Sequence, residues 1–85
     1  MRFSPAQVET MDGARRPGRP LRFTFEGGSV EVRAVRAHWY EAYTDPSFHP
    51  DEYFMVESTH ETVYLLRYST LFSSWWVRRE GGGGT

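Results

Sequence analysis

The chain has no cysteine, lysine, asparagine or isoleucine among its 85 residues. Without cysteine there can be no disulfide framework and no thiolate metal site. That absence suits a reducing compartment, and a cytoplasmic protein is expected. No apolar run approaches the length of a membrane span, and Met1-Arg-Phe-Ser-Pro5 lacks the apolar stretch of a secretion signal. The expectation is a soluble chain with no membrane partner. All ten basic residues are arginine. The three other absent types share AT-rich codons, so a GC-rich genome is the plain explanation. Arginine chosen for bidentate contacts with phosphate or carboxylate is the sharper one.

Catalytic spacing is missing too. His38, His49 and His60 stand among Glu41, Asp45, Asp51 and Glu61, yet no pair of histidines has metal-ligand spacing. Asp51 and Glu52 are adjacent, so in an extended chain they point opposite ways. The serines sit in no nucleophile elbow, and residues 81–84 are glycines without the lysine of a phosphate loop. The sequence therefore predicts no catalytic residue, no metal, no cofactor and no enzyme.

What is present is aromatic. Fourteen residues are Phe, Tyr or Trp, and all but Phe3 lie at or after Phe23. Each can bury roughly 150–250 Å². Such density compensates a chain too short to bury much more than roughly 60% of its unfolded surface. One β domain is expected over residues 20–79. A mobile basic arm would precede it over residues 1–19, with a short helical turn near Pro5 and Met11. A flexible glycine-rich tail would follow over residues 80–85.

Within the domain, Leu21, Phe23 and Phe25 alternate on one face, and Gly27-Gly28 stands where a tight hairpin needs positive φ. Val30 and Val32 continue on the next strand. The apolar phase slips at Ala34, which predicts a bulge, after which Val35, Ala37 and Trp39 share a face. Residues 40–50 read as an irregular loop, because Asp45-Pro46 and His49-Pro50 break regular structure. Three strand-like runs follow, from Glu52, from Thr62 and from Leu71. The predicted fold is all-β: a five-stranded antiparallel bent sheet or small open barrel, SH3-like or OB-like, with an extended N-terminal arm. Trp39 and Trp75 are expected in its core.

Both alternating faces of the last three runs carry large side chains. One face suffices for a core, so the other is expected to meet a partner. Tyr64, Tyr68 and Trp76 are the predicted partner-binding residues, for an unidentified protein or a second copy of the chain. The alternative is direct single-stranded nucleic-acid binding, with Arg15, Arg16, Arg19, Arg78 and Arg79 on phosphates and exposed rings stacking on bases. The net charge of −1 lacks the basic excess of a general nucleic-acid binder. Residues 1–22 nevertheless hold five arginines against Glu9 and Asp12, while residues 41–61 hold six acids and no arginine.

The run from Arg22 to Trp39, followed by Tyr53-Phe-Met-Val-Glu57, Val63-Tyr-Leu-Leu-Arg-Tyr68 and Trp75-Trp-Val77, resembles a small bacterial domain of unknown function. That domain is found in high-GC and thermophilic lineages, and it is similar to the C-terminal segment of Y-family-polymerase-like mutagenesis proteins. Ser73-Ser74 stands where the pattern often has a glycine turn, and Arg78-Arg79 replaces its usual acid. The resemblance implies a non-catalytic accessory module near DNA damage tolerance and transfers no site residue.

Overall fold

The computed structural model describes residues 2–11, 18–41 and 50–82. Its strands are β1 (Ser4–Ala6), β2 (Val8–Thr10), β3 (Pro20–Phe25), β4 (Gly28–Glu41), β5 (Asp51–Ser58), β6 (Thr62–Ser69) and β7 (Ser74–Gly82). They form one antiparallel sheet in the order β1-β7-β6-β5-β4-β3-β2. No helix among the described residues is long and apolar enough to cross a membrane.

Only Gln7 separates β1 from β2, so one N-terminal segment carries both ends of the sheet. It pairs with β7 through Ser4–Ala6 and with β3 through Val8–Thr10. Thr24 holds the junction. Its N–H donates to the Gln7 carbonyl at 3.0 Å, and its Oγ1 accepts the Gln7 N–H at 3.0 Å. The sheet thereby bends into a nearly closed barrel, joined through the β1–β2 segment.

The five expected strands correspond to β3–β7, and the N-terminal segment adds two more. The expected helical turn near Pro5 is replaced by strand. Ala6 and Val8 pack against the core, and pairing satisfies backbone groups that a free arm would leave to water. Arg15, Arg16 and most of the predicted 40–50 loop lie outside the described residues. At the other end, Gly81 and Gly82 are not tail but strand, opposite Val63 and Thr62.

The core lies on the inner face. Phe23, Phe54, Val56, Tyr64, Leu66 and Val77 are buried there, with Val30, Val32, Val35 and Trp75 packed around them. Tyr64 meets Phe23 and Phe25 edge-on, with centroids 5.0 and 5.2 Å away. Aromatic pairs of this kind contribute about 0.5–1.5 kcal/mol each beyond simple burial. Burial also raises the Tyr64 hydroxyl pKa, the nearby Arg79 charge pulling the other way.

Strand β4 is the long bent member. Its register against β5 shifts between Val32 and Ala34 and again between Val35 and Ala37, which leaves Arg33 and Arg36 as extra residues. The first shift is the slip expected at Ala34. The second corrects the expected grouping: Val35 packs on the core, while Trp39 stacks on Tyr53, outside the core cluster. Trp39 is therefore not a core residue. Trp75 is half-buried and packs against the core as expected.

Candidate partner-binding face

Alternation along each strand sends every second side chain away from the core. On β5–β7 the outward set includes Tyr53, Met55, Leu65, Arg67, Trp76 and Arg78. Register aligns these into a cross-strand row: Trp39 faces Tyr53, Tyr53 faces Arg67, and Arg67 faces Trp76. The N-terminal segment extends the row, since Pro5 of β1 faces Trp76.

Ring contacts fix this row. Trp39 and Tyr53 are stacked, with centroids 5.4 Å apart and planes 6° from parallel. The Arg67 guanidinium lies 5.0 Å from the Trp76 ring centre and 5.2 Å from that of Phe3. Arg78 lies 4.8 Å from the same Phe3 ring. Cations over aromatic faces are attracted by about 0.5–2 kcal/mol, more where water is excluded. Next to Trp76 the β6–β7 turn exposes Leu71 at 59% and Phe72 at 67%. Phe72 meets the Trp76 ring edge-on at 6.4 Å. The result is a preformed strip of flat, amphipathic side chains ending in a bare apolar corner.

The charges beside this strip are largely matched within the chain. Both bulge arginines donate to Glu57, Arg36 through Nε at 3.0 Å and Nη2 at 2.7 Å, and Arg33 through Nη2. The Arg36 hydrogen bond holds the Glu57 carboxyl below its ordinary value. Burial opposes that lowering, and the Arg33 and Arg36 charges reinforce it. Arg78 bonds Glu80. Arg67 has Asp51 Oδ2 3.6 Å from its Nε, too far for a hydrogen bond, and that buried Nε finds no acceptor.

The predicted partner-binding residues do not share one surface. Tyr64 is 7% exposed and belongs to the core, where its ring is enclosed by Phe23 and Phe25. Tyr68 lies on the same inner side, half-buried, with its ring 5.0 Å from that of Trp75. Only Trp76 lies on the outer strip. The alternation that groups Tyr64 with Tyr68 was legible, but which side formed the core was not.

The predicted nucleic-acid-binding arginines do not converge among the described residues. Arg19 is exposed just before β3, Arg78 is on the outer strip, and Arg79 pairs in register with Tyr64 of the inner face. Phe3, Trp39, Tyr53, Arg67 and Phe72 are outer-strip residues that sequence reading missed, Trp39 being expected in the core. Period-two alternation from Trp76 would have found Arg67 only once the β6–β7 register was known.

Among the described residues no group of three or more acidic or histidine side chains could hold a metal ion. Set against family models, curated proteins and solved structures, the chain matches none of them, and its functional reading rests on the geometry of this face.

Proposed function

We propose that this chain is a non-enzymatic interaction module that binds a protein, a second copy included, through the outer strip of Trp39, Tyr53, Arg67, Trp76 and Phe72. The observation that carries the reading is the cross-strand row of stacked rings and a ring-clamped arginine, ending at exposed Leu71 and Phe72. Tryptophan, tyrosine and arginine dominate protein–protein hot spots because they offer large rigid area with a polar handle. Side chains already ordered against one another lose less freedom on binding. Small β-barrels present sheet faces in this manner, and the nearly closed antiparallel sheet here supports that reading. A setting near DNA damage tolerance rests on the family resemblance alone.

Nucleic acid is the weaker reading. Phosphate binding needs free cations, and Arg33, Arg36 and Arg78 beside the strip are engaged with Glu57 and Glu80. Two measurements separate the readings. Protein capture from a cell extract and solution mass, each compared between wild type and Trp76→Ala, should show loss of a partner or of a dimer in the variant. Labelled single-stranded DNA should show no salt-sensitive binding. Binding that weakens steeply with salt would instead bring the nucleic-acid reading forward. Capture unchanged by Trp76→Ala would remove the outer strip from the function.

A further inference from the structure

A second site lies on the other side of the sheet. Strand β3 pairs with β4 only over Gly28 to Glu31, while β4 runs on to Glu41 against β5 alone. Beyond the end of β3 the described residues leave a cleft of about 420 Å³ on the inner face, within the range of small-molecule sites. Ala34, Val35 and Phe54 supply its apolar lining, and Arg19, His38 and Glu52 its polar groups. Mouths of β-barrels are common places for such pockets.

The polar groups have a definite sense. The Glu52 side chain is only 4% exposed, and His38 Nε2 engages its carboxylate. The His38 ring is also stacked on Phe54, centroids 4.2 Å apart and 7° from parallel, so its orientation is fixed from two sides. The His38 side chain is 41% exposed. What the cleft offers a charged ligand among the described residues is therefore the Arg19 cation. The acid itself is already used. Among the described residues a cationic ligand would meet no free carboxylate there, whereas an anion meets Arg19.

We propose that this cleft binds a small aromatic monoanion, its ring against Ala34, Val35 and Phe54 and its charged group on Arg19. The site lies on the inner side of β4 and β5, so it stands independently of the partner-binding strip.

The test uses the full chain labelled with ¹⁵N and three probes of one shape: 2-naphthoate, neutral 2-naphthamide and cationic 2-naphthylmethylamine. Naphthoate should shift the backbone amides of Ala34, Val35 and His38 saturably, with a dissociation constant of about a millimolar. The Trp39 and Trp76 indole N–H signals should stay still. Arg19→Gln changes an exposed residue and should weaken naphthoate roughly tenfold, the usual effect of losing a charged hydrogen bond. Ala34→Leu should fill the cleft and abolish binding while the amide spectrum stays folded. The inference is overturned if the amine binds as well as the acid or no probe saturates. It is equally overturned if the shifts centre on Trp76 or Ala34→Leu leaves the affinity unchanged.

Discussion

Leu66 and Arg67 are neighbours on β6, and they belong to two differently built surfaces. Leu66 is fully buried among Phe23, Phe54, Val56 and Val77, side chains that bring no polar group needing a partner. Arg67 lies between two rings, keeps about a third of its side chain exposed, and leaves a buried Nε without an acceptor. The inner face gains stability by excluding water from apolar surface. The outer face gains order from stacking and cation–ring contacts while leaving area to be covered. A small barrel needs only the first kind of surface to fold, so the second kind is the better indicator of use.

The sharpest way to break this comparison is to truncate one aromatic on each side. Tyr64→Ala removes a ring that fills the core, and the expected loss is about 3–5 kcal/mol, enough to unfold a domain of this size. Urea denaturation followed by tryptophan fluorescence would measure it. Survival of a folded Tyr64→Ala protein with near-native stability would mean that the inner face is not the core. Trp76→Ala should cost only about 1–2 kcal/mol, since its ring is half-buried and touches Arg67 and Phe72 rather than the core cluster. Its larger effect should be on partner capture. Equal destabilisation by the two changes would erase the distinction between the faces.

A third prediction concerns Glu57, which ties the two bulges of β4 together. Its carboxyl titrates below its ordinary value of 4.5 because Arg36 and Arg33 stabilise the charged form. A group with a lowered folded-state pKa stabilises the fold at pH above its unfolded value and loses that contribution as pH falls through the folded one. Wild type should thus exceed Glu57→Gln in denaturation midpoint at pH 7. The gap should begin to close near pH 4.5 and vanish on further acidification. A gap independent of pH would mean that the carboxylate contributes by shape alone. The bend of β4 would then be set by packing of Val32 and Val35.

These residues also show how much of the fold is legible in the sequence. The β3–β4 hairpin and the last three strands followed from alternation, and the first bulge followed from the phase slip at Ala34. The second bulge did not. A bulge is a two-against-one count between paired strands, so it depends on β5, and nothing within Val35-Arg36-Ala37-His38-Trp39 marks it. Missing it moved Trp39 to the wrong side. Strands β1 and β2 were missed because three residues are too few for a period, and their pairing is decided by distant edges. The Glu57 clamp and the His38–Glu52 pair join residues 21 or more and 14 apart, and only register brings them together.

The smallest expected effect tests the turn that starts the barrel. Sequence reading set it at Gly27-Gly28, whereas Gly28 begins β4 and the turn residues are Glu26 and Gly27, with φ of 52° and 79°. Two consecutive positive φ values define the turn whose twist matches a hairpin, and Asn-Gly is its preferred pair. Gly27 adopts that backbone freely. Glu26 does so against its Cβ, at a cost of about 1 kcal/mol. Glu26→Asn should therefore stabilise the chain by about 0.5–1 kcal/mol. Gly27→Ala should destabilise it by about 1 kcal/mol, although a methyl group there would touch nothing within 4 Å. Because neither change touches either face, both should leave partner capture and naphthoate binding intact. A loss of capture in Glu26→Asn would mean that the hairpin tip, and not the outer strip alone, meets the partner.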